Sequence, residues 1–198
     1  MQGLQESQGL GAEHSLAPQR RLVFEHTIEG LFRISLRHRL SALAWQSLRE
    51  AGLDLSRPLA PAYPYETWKR ALEISVADLY PFLPREEAWR RMGRDVVDGM
   101  MRTVMGRAMV GVSRLLGPLR SLRRLNSTLR SADNYAESRL FELSPNCCEV
   151  WINEVMEQPS YYQGVLEACV TLAGGRDVST RVLSRDGHGA FLHVEWKD

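Results

Sequence analysis

The longest helical pattern in the chain runs from Pro84 to Gly117. Apolar residues recur there at helical spacing, at Trp89, Met92, Val96, Met100, Val104, Ala108, Val112 and Leu115. Val97, Met101 and Met105 widen the stripe. Pro84 suits a first turn, and Glu86 and Glu87 put negative charge at the positive end of the helix dipole. Gly93, Gly99, Gly106 and Gly111 interrupt the stripe. Each interior glycine costs about 1 kcal/mol against alanine, so four of them call for close backbone approach or a bend. The pattern predicts one long central helix, bent near Gly99 or Gly106 and buried on most sides.

Shorter patterns flank it. A helix is expected over Ser41–Ala51, with Leu40, Leu43, Ala44 and Leu48 facing inward and Gly52 ending it. Residues 52–64 are proline-rich and read as a loop. Tyr65–Tyr80 carries an apolar stripe of Trp68, Leu72, Val76 and Leu79, and Leu119–Leu129 follows the Gly117-Pro118 break. Leu22–Phe24 reads as a short strand or extended lead-in, and Glu29–Phe32 as a helical turn.

After Ser131 the period drops to two. Tyr135, Glu137, Arg139, Phe141 and Leu143 alternate with Ala136, Ser138, Leu140 and Glu142. A turn at Ser144–Asn146 leads to Cys148, Val150 and Ile152, which alternate with Cys147, Glu149, Trp151 and Asn153. A helix over Ser160–Ala173 and two strands, Val178–Ser184 and Phe191–Trp196, complete the chain. The fold class is therefore α+β: a helical part over 21–132 built on the long helix, then an antiparallel ββαββ part over 133–198. Both belong to one domain, 21–198, behind a flexible tail at 1–20.

Composition narrows the class without naming a reaction. The chain has 198 residues, 44% apolar and 25% charged, with a net charge of +1, which gives no global field for nucleic acid or membrane. Basic residues are 23 Arg against 2 Lys, as a GC-rich bacterial genome would produce. Three cysteines, an odd number, point to buried thiols in a reducing cytoplasm rather than a disulfide framework. No signal-peptide core is present, and Asp98, Arg102, Arg107 and Arg114 break up the best apolar run, so no membrane segment is expected.

Several motifs occur in order: AGLDLSRPLAPAYPYETW, LYPFLPREEAWRRMGRDVVDGMMRTVMGRA, LLGPLRSLRRL, SADNYAESRL and HVEWKD. This string, spanning Val23–Trp196, resembles a large paralogous family of unknown function from myxobacteria. Its helices-then-ββαββ plan is similar to vinyl-reductase-type ligand-binding domains. It is more distantly similar to haem-nitric-oxide sensors and Golgi-transport tethering subunits. That second resemblance implies a pocket for a small molecule. The haem sensors use a helix histidine and a Tyr-x-Ser-x-Arg motif. Here Tyr135-Ala136-Glu137-Ser138-Arg139 has its serine one place late, and no histidine lies between His38 and His188. The zinc-binding cysteine cluster of some vinyl-reductase-type domains is also missing.

The chemistry left to the residues is sparse. No nucleophile elbow, phosphate loop or dinucleotide fingerprint is present, and the five histidines are scattered. No catalytic residue, metal ligand set or cofactor follows. Two features stand out. Between Gly99 and Ala132 there are seven arginines and no Asp, Glu or Lys. Arg114, Arg120, Arg123, Arg124 and Arg130 form a candidate face for an anionic partner, or else a solvated basic face neutralised by acids such as Asp95, Asp98, Asp133 and Glu137. No nucleic-acid reading motif accompanies it. Second, Met92, Met100, Met101, Met105 and Met109 place five of seven methionines on the long helix. They can fill an irregular core, or they can line an apolar cavity left by notches at Gly99 and Gly106. The candidate cavity is bounded by Trp68, Trp89, Met100, Met101 and Met105, and by Tyr135, Phe141 and Val150 on the inner sheet face. The expected function is a non-enzymatic regulatory or protein-interaction module of a bacterial cytoplasm, its partner another protein or a second copy of the chain. The alternative is a sensor for an apolar small molecule.

Overall fold

The computed structural model describes residues 20–197. The expected tail lies almost wholly outside them, and the side chains of Met105 and Met109 are also outside the described part. Strand β1 (Leu22–Phe24) pairs antiparallel with β2 (Ala62–Pro64), a strand inside the stretch expected to be loop. Helix α1 (Glu25–Ile28) continues directly into a π-helical segment, Glu29–Ser35, longer than the single turn expected. Its wide turn is visible in the bond from Leu36 N–H to the Leu31 carbonyl. In α2 (Ala42–Glu50) Ala44 and Leu48 face inward, in line with the buried Leu40 just before the helix, whereas Leu43 is 73% exposed and does not face the core. Helix α3 (Tyr65–Leu79) buries Trp68, Ala71 and Leu72.

The expected single long helix is two. Helix α4 (Arg85–Arg102) and α5 (Val104–Leu116) meet at Thr103, whose backbone is extended. Its hydroxyl accepts from the Gly106 N–H at 3.0 Å and donates to the Met100 carbonyl at 2.7 Å, capping α5 and satisfying the end of α4. The chain thus breaks at a capping threonine rather than bending at a glycine. Burial holds only for α4: Val104, Val112 and Leu115 of α5 are exposed. The expected Leu119–Leu129 helix is also two short ones, α6 (Pro118–Arg123) and α7 (Leu125–Ala132).

The C-terminal part has the alternation read from the sequence. Strands β3 (Ser138–Ser144), β4 (Cys147–Ile152), β5 (Arg176–Asp186) and β6 (Gly189–Lys197) form an antiparallel sheet of order β3-β4-β6-β5, and α8 (Pro159–Leu172) lies between the second and third in sequence. Cys148, Val150, Ile152, Leu192 and Val194 face inward and are fully buried. Helix α4 crosses α8 at backbone contact, and the buried side chains of both parts form one continuous core. No helix among the described residues is long and apolar enough to cross a membrane.

Candidate functional site

Between α4, α7 and α8 lies a small, narrow cavity of about 60 Å³. Val96, Val97, Met100 and Met101 form its α4 wall, and Trp68 closes the α3 side. Leu125 and Leu129 come from α7, and Tyr161, Tyr162, Val165 and Cys169 from α8. Asp133 and Tyr135 form a further wall because the chain turns between α7 and β3. The Asp133 carboxylate accepts from the Tyr135 and Ala136 N–H groups at 3.0 and 2.7 Å, which holds Tyr135 outside the sheet against Tyr65, the ring centroids 5.0 Å apart.

The lining is mainly apolar with a few polar atoms. Tyr161 and Tyr162 are more than nine-tenths buried, and neither hydroxyl has a hydrogen-bond partner among the described residues. Burial pushes the phenols of Tyr135, Tyr161 and Tyr162 well above their ordinary range. It also pushes the Cys169 thiol up to about 11. The Asp133 carboxyl rises to about 6, because desolvation outweighs the two backbone N–H donors and Arg130.

Of the residues expected around a pocket, Trp68, Met100, Met101 and Tyr135 line this cavity. Trp89 and Val150 are buried in the core away from it. Phe141 is a correction: it is 45% exposed on the outer sheet face and packs on Phe191 there. The glycines are a second correction, since they leave no notches. A Cβ on Gly99 would meet the Gly30 carbonyl oxygen at 2.1 Å, and one on Gly106 the Met100 carbonyl oxygen at 2.0 Å. Backbone fills the space that side chains vacate. The walls the sequence did not reveal come from Thr27, the α7 leucines and the tyrosine pair of α8. The adjacent Tyr161-Tyr162 was the available signal.

Met100 and Met101 have a second role. They also line an open groove of about 610 Å³ at the α4–α5 break, together with His26, Ile34, Thr103, Val104 and Arg107. Two flexible side chains thus border both the narrow cavity and the surface groove.

The arginine face divides in two. Arg123 makes a two-pronged pair with Glu142 at 2.6 and 2.7 Å, and Arg130 lies 3.5 Å from Glu137. Arg114, Arg120 and Arg124 have no ion-pair partner among the described residues. Of the acids expected to neutralise the face, Glu137 does so, Asp98 pairs with Arg102, and Asp95 pairs with Arg39 instead. On the outer sheet face the Cys147 sulfur is 3.6 Å from His193 Nε2. Burial and the carboxylates of Glu195 and Glu149 raise that thiol, so it is no activated nucleophile.

The family DUF2378, described as a protein of unknown function, matches residues 21–197. No curated protein matches the chain. Solved structures of similar fold are H-NOX domains. An oxygen-binding H-NOX domain related to soluble guanylate cyclases superposes with a TM-score of 0.62 at 14% identity, covering 87% of this chain and 92% of that one. An H-NOX protein from S. oneidensis in the Fe(II)NO ligation state gives 0.65 at 10% identity, covering 87% and 98%. A variant of Tt H-NOX gives 0.67 at 13% identity, covering 88% and 95%. At such identities the likeness shows a shared fold.

Proposed function

The chain belongs to DUF2378, a family of proteins of unknown function, and from that premise we propose that it is a non-enzymatic sensor module for a small, mainly apolar molecule. The observation that carries this reading is the narrow, mainly apolar cavity of about 60 Å³ lined by Met100 and Met101. Apolar walls supply affinity, and the Tyr161 and Tyr162 hydroxyls offer a polar anchor for one ligand oxygen. The H-NOX-like fold supports a sensing role by analogy.

Haem is a poor match for these residues. Similar H-NOX proteins are described by their haem. A group as large as haem needs a pocket of roughly 300 Å³ or more, and this cavity has about 60 Å³. No histidine lines the cavity. Haem iron takes histidine, methionine paired with histidine, thiolate or tyrosinate; Met100 and Met101 line the cavity, but no described histidine stands there to pair with them. The space suits a molecule of a few heavy atoms, since a water occupies roughly 30 Å³ of liquid. Rotation of Met100 and Met101 joins it to the outer groove and admits a longer chain.

The readout runs through α5. Gly106 sits directly on the Met100 carbonyl, so a shift of Met100 moves α5. That helix exposes Val104, Val112 and Leu115 beside Arg114, a surface suited to a protein partner with acidic groups. Xenon titration followed by methyl NMR tests the cavity. Shifts at Val96, Val97, Met100 and Met101, lost in a folded Val97→Phe variant that fills the space, are expected. Shifts scattered over the surface, or unchanged in the filled variant, would remove the reading.

A further inference from the structure

A separate concavity of about 890 Å³ opens where the first turn of α4, the start of α8 and the edge strand β5 meet. It shares no lining residue with the cavity above. Arg85, Arg90 and Arg185 are among its lining residues, whereas the Arg181 side chain, opposite His193, belongs to the outer sheet face. The position of Arg185 follows from a local irregularity. The β5–β6 register shifts between Val182 and Ser184, which sets Arg185 opposite the buried Ala190. Arg185 therefore shares a sheet face with Thr180 and Val182, on the α8 side. Arg181 and Arg185 have no ion-pair partner among the described residues.

The start of α8 points into this groove. Pro159 occupies its first turn, and Gln158 at the cap makes no side-chain capping bond, its Oε1 instead accepting from Arg85 Nε at 3.3 Å. Ser160 supplies an independent observation. It is 94% buried by its 6% exposure, it lines the groove, and its hydroxyl has no hydrogen-bond partner among the described residues. No fully enclosed side-chain polar atom among those residues lacks a partner, so the unpartnered Ser160 oxygen retains solvent access in a residue that lines the groove. Helix dipole, hydroxyl and guanidinium groups all favour an oxyanion.

Acceptors stand among these donors. Gln163 is 5% exposed; its Nε2 donates to the Thr180 carbonyl at 2.9 Å, and its Oε1 has no donor among the described residues. Glu86 and Glu157 lie at the rim, with Glu157 3.6 Å from Lys69. A simple anion has no use for these acceptors, whereas a ligand carrying hydroxyls does.

We propose that the groove binds a phosphorylated polyhydroxy compound of the sugar-phosphate class. Its phosphate sits on Ser160 and the first turn of α8 between Arg85 and Arg185, and its hydroxyls donate to Gln163 Oε1 and the rim carboxylates.

Calorimetric titration of the full chain with ribose 5-phosphate, ribose and inorganic phosphate tests this. Ribose 5-phosphate should bind about tenfold more tightly than inorganic phosphate, and ribose alone should give no signal. Arg185→Glu and Ser160→Ala should each weaken ribose 5-phosphate by about tenfold with the melting temperature unchanged. Arg185 is exposed, so its variant decides the matter even if Ser160→Ala fails to fold. Val97→Phe should leave the affinity intact, which separates this site from the apolar cavity. No heat with ribose 5-phosphate, or equal affinity in Arg185→Glu, would overturn the site. Inorganic phosphate binding as tightly as ribose 5-phosphate would overturn the ligand class.

Discussion

Gly93 on α4 and Gly164 on α8 make room for each other's helices. A Cβ on Gly93 would stand 2.0 Å from the Tyr161 carbonyl oxygen, and one on Gly164 would stand 1.9 Å from the Arg90 carbonyl oxygen. The two helices touch through backbone, and this contact sets the spacing of the two helices that line the cavity.

Adding a methyl group at that crossing meets backbone, which cannot rotate away. Gly93→Ala or Gly164→Ala should therefore destabilise by about 3 kcal/mol, the upper end for overpacking. Gly111→Ala is the contrast. It lies inside α5 with nothing within 4 Å of its added Cβ. It should stabilise by about 0.5–1 kcal/mol through helix propensity. Urea denaturation of the three variants gives the sign directly. A neutral Gly164→Ala would mean that the crossing is looser than described.

The same crossing explains which parts of the fold were legible in the sequence. Periodicity located the switch from helix to strand near Asn134 and the strand–strand–helix–strand–strand order, because each such element buries one face. It could not show that glycines on the α4 stripe are met by backbone, Gly99 by Gly30 and Gly93 by Tyr161 and Val165, since that pairing exists only in three dimensions. Thr103 fell inside the expected long helix, although it lies three residues before the Gly106 N–H it caps. Strand β2 has three residues and exists because β1 lies beside it. Phe141 was assigned inward by alternation from Tyr135. The count was sound, but the Asp133 turn keeps Tyr135 out of β3, which begins at Ser138.

Asp133 should make stability depend on pH. Its native pKa is raised to about 6 from 3.8, so the native state holds a proton that the unfolded chain has released across that interval. Its contribution is fully present below the unfolded pKa and is lost as pH rises from about 4 to about 6. The loss is about 3 kcal/mol at most, the equivalent of the two-unit shift. Chemical denaturation at pH 5 and pH 7.5 should show the native chain more stable at the lower pH from this group. Asp133→Asn, which retains an acceptor for the Tyr135 and Ala136 N–H groups, should reduce the difference. An identical pH profile in the variant would rule out Asp133 as its source.

Glu167 is the buried counterpart on α8. Its carboxylate accepts from Arg94, lies 3.7 Å from Arg90 Nε and accepts from the Thr180 hydroxyl, tying α4, α8 and β5 together. Glu167→Ala strands the Thr180 hydroxyl and leaves two guanidinium groups without their acceptor. Both arginines are partly solvated, so the expected cost is about 2 kcal/mol rather than that of a fully buried pair. Thermal unfolding of Glu167→Ala beside Glu167→Gln separates the charge from the hydrogen bonds. The glutamine variant should recover part of the loss, and equal loss in both would assign the whole effect to charge.

Thr103 offers the most direct test of coupling between cavity and surface. Its hydroxyl is both the cap of α5 and the partner of the Met100 carbonyl, so it holds the break next to the two methionines that border both cavity and groove. Thr103→Ala removes both bonds, and alanine favours a continuous helix in place of the break. The expected stability cost is about 1 kcal/mol, as for other lost caps. The more informative readout is hydrogen exchange over Val104–Leu116. In the native chain, a ligand or xenon beside Met100 and Met101 should change protection along α5. In Thr103→Ala the cavity should still fill, with the shifts at Val96 and Val97 retained, while the change along α5 is lost. Retention of both would show that α5 responds without the threonine break. Loss of both would show that the break shapes the cavity itself rather than carrying its signal outward.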